Sequence, residues 1–230
     1  MSDKPTDFSL HCPAPNADEL IRLAHGGGGR LMQELLSTTV LPALSNIDFS
    51  TQHDAAVFDI GSTRCAFTSD SYVVRPRFFP GGDIGVLAVN GTLNDLAMSG
   101  ARPLFLSASL IIEEGLSKTE LQRLLDSMRT AADAAGVAIV TGDTKVVDRG
   151  AGDGLYINTS GVGIVDRGIE IHPRQVQPGD AILVSGDLGR HGIAIMAARE
   201  QLNFEPPIAS DCANLSPLVQ ALLDNGVRPH

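Results

Sequence analysis

The sequence predicts a domain that mixes helices with a β-sheet, an α+β or α/β fold of about 140 residues, and three observations predict it. Patterns alternate as strand, strand, helix, strand, helix, strand, strand through the middle of the chain. One stretch, "LSKTELQRLLDSMRTAADAAG", has the periodicity of an amphipathic helix. The 230 residues are 43% hydrophobic and 19% charged, which supplies a core without any run of transmembrane length.

Taken in order, residues 1–22 are polar and proline-interrupted, and are expected to be loosely ordered. "RLMQELLSTTVL" has apolar residues at helical spacing, limited by Pro42. "DAAVFDIG" and "RCAFTSDSYVV" read as strands, and "GDIGVLAVNGTLNDLAMSG", long and rich in small residues, as a buried helix. "PLFLSASLII" is a strand. In the amphipathic helix that follows, Ser117 and Glu120 fit a capping box, Leu121, Leu124, Leu125 and Met128 form the apolar stripe, and Gly136 ends it. "VAIVTGDTKVV" and "LYINTSGVGIV" are strands, closing a domain over 23–166. From 167 to 230 a connector, a strand "AILVSG", a helix after "DLGRHG" and a helix in "LSPLVQALLDNGV" read as the opening of a second, incomplete domain.

A formal net charge of −10 with no basic block argues against nucleic-acid and anionic-membrane surfaces. Aromatics at 4%, with no Trp, argue against base stacking. Cys12, Cys65 and Cys212 are far apart and form no CxxC pair, so neither a disulfide framework nor a zinc site is expected. With no signal-peptide pattern, the expected location is cytoplasmic.

The stretch "LAHGGGGRLMQELL" places His25, Gly26, Gly27, Gly28 and Gly29 before an apolar helix. Alone it reads as a linker, because glycine is costly to order. Several acidic residues change that reading. Asp54 opens "DAAVFD", Asp70 ends "CAFTSD", Asn94 and Asp95 interrupt an apolar helix, and Asp143 lies two residues before Lys145. A carboxylate in an apolar helix is expensive unless it is paired or metal-bound. Convergent carboxylates suit Mg²⁺ that also holds nucleotide phosphates. With a glycine loop ahead of a helix N-terminus and with Lys145, they make an Mg·ATP site. His25 is a phosphate ligand, a proton donor or a loop residue; His53, His172 and His191 lack metal-ligand spacing. No G-x-x-x-x-G-K-[ST] and no G-x-S-x-G is present, and "GDLGRHG" lacks dinucleotide-binding spacing.

"LAHGGGGRLMQELL", "FTSDSYVVRPRFFPGGDIGVLAVNGTLNDLAMSGARPLFLSASLIIEEG", "AIVTGDTKVV" and "GLYINTSGVG" closely resemble the hydrogenase maturation HypE family, from about Leu23 to the end of the chain. That family belongs to the ATP-binding superfamily of aminoimidazole ribonucleotide synthetase, selenophosphate synthetase and thiamine monophosphate kinase. The resemblance implies an α+β, ferredoxin-like/aminoimidazole ribonucleotide synthetase-like domain, with a mixed sheet and flanking helices, plus the start of an α/β C-terminal domain. It implies ATP-dependent dehydration of a carboxamide on a C-terminal cysteine to a thiocyanate, the source of cyanide for the iron of nickel–iron hydrogenase. Implied partners are the HypF carbamoyltransferase, a HypC–HypD complex and a second copy of the chain, paired through the sheets near the ATP cleft.

Carried over by resemblance, Asp54, Asp70 and Asp95 hold Mg²⁺ and phosphates with Asn94 in support. His25 and Gly26, Gly27, Gly28 and Gly29 close over the phosphates, and Asp143 and Lys145 lie near the reacting centre. Lys145 either neutralises the transferred phosphoryl group or deprotonates nitrogen. The family tail Pro-Arg-Ile-Cys is matched here only by "GVRPH". The expectation is therefore a truncated chain without the acceptor cysteine, for which Cys212 is no substitute. The competing readings are another phosphoryl-transfer enzyme, such as a selenophosphate synthetase or a small-molecule kinase, and a non-catalytic interaction module.

Overall fold

The computed structural model describes residues 20–44 and 53–230, which fall in two units, Met1–Gln52 and His53–His230. In the first unit a 3₁₀ turn, Leu23–Gly26, precedes α1 (Arg30–Leu35), and a π-helical stretch, Leu36–Val40, leads into α2 (Leu41–Leu44). Pro42 lies inside α2 rather than ending the helix. A proline ring collides with the carbonyl four residues back, and the widened π turn just before it relieves that crowding. The expectation for 1–22 falls largely outside the described residues.

The second unit is built on a five-stranded sheet, β1 (Ala56–Ile60), β2 (Thr63–Tyr72), β5 (Ala101–Glu113), β6 (Ala138–Val147) and β7 (Leu155–Val165), in the order β1-β2-β7-β5-β6. A small hairpin, β3 (Phe78–Phe79) with β4 (Gly82–Asp83), follows β2. Among the described strands only β5 and β6 are parallel, joined by α4 (Lys118–Ala134), as a parallel pair requires a crossover. Sheet and helices together make an α+β fold, as the sequence predicts.

The core explains why α3 (Ile84–Met98) reads as apolar all round. Ile84, Ala88, Val89, Leu93 and Leu96 are fully buried, between the sheet and α4. Strand β7 alternates, with Leu155, Ile157, Thr159, Gly161, Gly163 and Val165 buried, the period-2 signature of a sheet covered on one face. Leu124 and Met128 of the α4 stripe are buried in the same cluster, each worth about 1.5–3 kcal/mol relative to exposure. A Cβ on Gly85 would lie 2.6 Å from the Leu124 carbonyl oxygen, so the two helices touch backbone to backbone there.

Two local expectations are overturned. Ser117 occupies the N-cap of α4 but its side chain makes no capping bond. Glu120, the other half of the expected box, pairs instead with Arg77 at 2.6 Å, a charge-assisted bond stronger than a neutral cap. "AILVSG" is not a strand: residues 181–184 have no regular structure, and Ile182 is 92% exposed. A strand needs a neighbour to take its backbone groups, and none of the described strands pairs with it. The remaining helices, α5 (Arg190–Arg199) and α6 (Ser216–Asp224), form where expected. Leu223 of α6 joins the cluster of Ala66, Leu96, Ala101, Val165 and Ile169. Residues on both sides of the 166/167 division thus share one core.

Candidate functional site

The expected residues fall into three groups. The glycine segment lies in the first unit, with Gly28 in the left-handed region at φ 72° and open space around a Cβ at Gly26, Gly28 and Gly29. His25 sits in the preceding turn, where its Nδ1 accepts the Arg22 N–H at 3.0 Å.

The second group lies where β2 meets α3. Successive residues of one strand face are Thr68, Asp70 and Tyr72, since alternate side chains share a face. Asp70 pairs across the sheet with Thr159, which is fully buried and donates to the Ala88 carbonyl of α3 at 2.9 Å. That row therefore faces the helix. The Tyr72 hydroxyl stands 3.4 Å from Thr92 Oγ1 and closes on Gly91, where only hydrogen fits. Burial raises the Tyr72 phenol above its ordinary value, and Asp70 and Asp95 add to that shift.

Asp95 is the electrostatic centre of this group. Burial, then the charges of Asp54 and Asp70, push its carboxyl up to about 6, opposed by a hydrogen bond from Thr68. The Thr68 hydroxyl lies 3.3 Å from Asp95 Oδ2 and 2.8 Å from the Asp54 carbonyl oxygen. Asp54 and Asp70 thus both press on Asp95 at one corner. Among the described residues no three His, Cys, Asp or Glu side chains converge into a metal cage. Mg²⁺ needs none: it keeps several waters and takes one or two carboxylates plus substrate phosphates. A crowded carboxylate held ionised only at a cost fits such a cation.

Asn94 faces elsewhere. Its Nδ2 donates to the Ala213 carbonyl at 2.9 Å, and its Oδ1 accepts the Leu215 N–H at 2.7 Å. Asn90 Nδ2 donates to the Cys212 carbonyl at 3.2 Å. Both halves of the Asn94 amide are therefore engaged in holding the loop before α6, a role its sequence neighbourhood does not show.

The third group is on the other side of the sheet. Asp143 is in register with Ser109, Asn158 and Ser71, and Lys145 with Ile111 and Tyr156. These rows alternate with the Asp70 row and so lie on the opposite face. Both residues are exposed on the edge strand β6. Within one chain the structure brings Asp54, Asp70 and Asp95 together and keeps Asp143 and Lys145 apart from them. Sequence reasoning missed Thr68 and Tyr72; their spacing of two and their flanking of Asp70 in a strand were the available signal.

Comparison with known proteins follows the same lines. Residues 52–165 match the family of AIR synthase related proteins, N-terminal domain. The chain is 49% identical over 208 residues to carbamoyl dehydratase HypE of Bradyrhizobium diazoefficiens, covering 90% of this chain and 60% of that relative. A crystal structure of a HypE–HypF complex matches with a TM-score of 0.78 at 46% identity, over 86% of this chain and 62% of that one. A crystal structure of hydrogenase maturation protein HypE in complex with ATP matches with a TM-score of 0.68 at 48% identity, over 87% and 60%. This chain spans about 60% of the length of the curated relatives it matches. Identity of nearly one half over 208 residues, with the match of residues 52–165 to the AIR synthase related N-terminal domain, makes this chain a relative of the HypE proteins.

Proposed function

We propose that this chain carries the ATP-binding part of a HypE-type carbamoyl dehydratase, which converts a cysteine S-carboxamide to an S-cyanate for the iron of nickel–iron hydrogenase. The observation that carries the reading is the crowded corner of Asp54, Asp70 and Asp95, in a chain nearly half identical to HypE proteins. One relative of known structure holds ATP and another is bound to HypF. In this reading Asp54, Asp70 and Asp95 hold Mg²⁺, which neutralises nucleotide phosphates, and Asn94 braces α3 beside them. His25 and Gly26, Gly27, Gly28 and Gly29 form a phosphate-contacting loop. Asp143 and Lys145 serve the reacting centre from the open sheet face.

The chemistry asks the protein for little covalent work. A carboxamide oxygen is a poor leaving group, so ATP phosphorylates it; a base then takes the N–H proton as phosphate departs and the nitrile forms. Charge stabilisation and exclusion of water are what the residues contribute. Lys145 is suited to neutralise the phosphoryl group in flight. HypF, as supplier of the carbamoyl group, and HypC–HypD, as acceptor of cyanide, are the proposed partners. The open sheet face is the proposed homodimer surface: it carries a cross-strand row of Ala56, Phe67, Val162, Phe105 and Ala138, with Phe67 43% and Phe105 50% exposed. Residues 23–166 are the nucleotide and dimer domain in this scheme, and 167–230 begin the next.

Calorimetric titration with a non-hydrolysable ATP analogue tests the reading. Binding that requires Mg²⁺, and that weakens about tenfold or more in Asp95→Asn, is expected, one charge-assisted contact being worth about 1.5–3 kcal/mol. Affinity indifferent to both Mg²⁺ and Asp95 would refute it.

A further inference from the structure

A threonine in the middle of a strand normally needs no explanation beyond β-propensity. Thr68 has one. It is 5% exposed, and its hydroxyl has a single proton and two acceptors, the Asp54 carbonyl oxygen at 2.8 Å and Asp95 Oδ2 at 3.3 Å. Asp54 leads into β1 and Asp95 lies in α3, so one buried hydroxyl spans two segments that the chain separates by β1, β2, the β3–β4 hairpin and most of α3. Asp70 follows it by two residues on the same face of β2. Thr68 is thus joined to all three acidic positions, to one through the backbone and to two through its oxygen.

We propose that Thr68 is a positioning residue of the acidic site: its hydroxyl fixes the Asp95 carboxylate in the orientation that receives a divalent cation with its nucleotide. The inference rests on the proposed Mg·ATP site. Asp95 is pressed by two neighbouring carboxylates and pairs with no cation among the described residues. A shared hydroxyl proton is then what holds its rotamer, and side-chain torsions have three wells to choose from. Removing that proton lets the carboxylate turn toward solvent before any ligand arrives, and binding must then reorder it. The shorter bond to Asp54 gives the same hydroxyl a fixed anchor, so its own torsion is set by the backbone rather than by the ligand.

The test compares the full chain with Thr68→Val, which keeps the shape and loses the hydroxyl, and Thr68→Ser, which keeps the hydroxyl. Affinity for the non-hydrolysable ATP analogue is measured by calorimetry with and without Mg²⁺, and folding by circular dichroism and thermal melting. The expected result is a loss of about tenfold in Mg²⁺-dependent affinity for Thr68→Val, with recovery to within about twofold in Thr68→Ser, as for a charge-assisted hydrogen bond. Affinity without Mg²⁺ should not differ among the three. Equal Mg²⁺-dependent affinity in Thr68→Val and the unaltered chain overturns the positioning role and leaves the site reading intact. A melting loss alone, or Thr68→Ser as weak as Thr68→Val, assigns Thr68 a purely structural part and also overturns it. Failure of the unaltered chain to bind the analogue with Mg²⁺ overturns the site reading itself, and the inference with it.

Discussion

Asp83 and Ser127 lock two helices together through one carboxylate. Oδ2 of Asp83 accepts the Ser127 hydroxyl of α4 at 2.6 Å, while Oδ1 caps α3 by accepting the N–H groups of Gly85 at 2.8 Å and Val86 at 3.0 Å. A single side chain thus satisfies orphan donors of one helix and ties it to the next. A lost cap costs about 1 kcal/mol and a lost charge-assisted bond about 1.5–3 kcal/mol. Asp83→Ala should therefore destabilise the fold by about 2–4 kcal/mol in urea denaturation. Ser127→Ala should lose about half as much, and the double variant less than the sum.

Glu113 gives a pH dependence of known sign. The Gly150 N–H at 2.6 Å does most to hold its carboxyl below the ordinary value, against a smaller effect of burial; the Gly154 N–H at 2.8 Å, Arg75 and Arg149 pull the same way. A folded value below the unfolded one means stability present above the usual glutamate range and lost as pH falls through the folded value. Glu113→Gln should flatten the acid limb of a stability–pH curve and leave the region above pH ~6 less affected in slope. Denaturation midpoints at a series of pH values check this, and an unchanged acid limb would contradict it.

The engagement of Asn94 is open to a local probe. Asn94→Ala removes two hydrogen bonds to the 213–215 loop, each worth about 1 kcal/mol net. Amide exchange at Leu215 and its neighbours should quicken by about tenfold or more, while α4 keeps its protection. Uniform protection would mean that Asn90 and Ser216, which donates to the Leu93 carbonyl at 3.3 Å, hold the loop unaided.

The strands and helices were legible because their causes are local. Alternation in "LYINTSGVGIV" and the stripe of Leu121, Leu124 and Met128 each follow from one element meeting one core. What the sequence did not reveal has an opposite, long-range origin. Glu120 left its expected cap for Arg77, 43 residues away, and Asn94 reaches a loop 119 residues on. "AILVSG" has the composition of a strand but no partner among the described strands, and pairing is not a property of a segment. The acidic residues were visible as chemistry, because a carboxylate in an apolar run is conspicuous. Thr68 was not, because a threonine is at home in any strand. That Asp143 and Lys145 face away from Asp70 follows from cross-strand register, which only pairing fixes.

Were the apolar row across the open sheet the surface where two copies meet, as proposed, it would also set how self-association responds to salt. Phe67, Val162 and Phe105 offer an adhesive surface, but each copy carries a formal charge of −10. At low ionic strength, where the screening length is about 30 Å, that charge holds copies apart; near 0.15 M salt it shrinks to about 8 Å and the apolar rows can meet. Self-association should consequently strengthen as salt is added, the reverse of an assembly drawn together by opposite charges. Sedimentation velocity across a salt series reads this directly, and Phe67→Ser should abolish the salt response by making the surface itself unattractive.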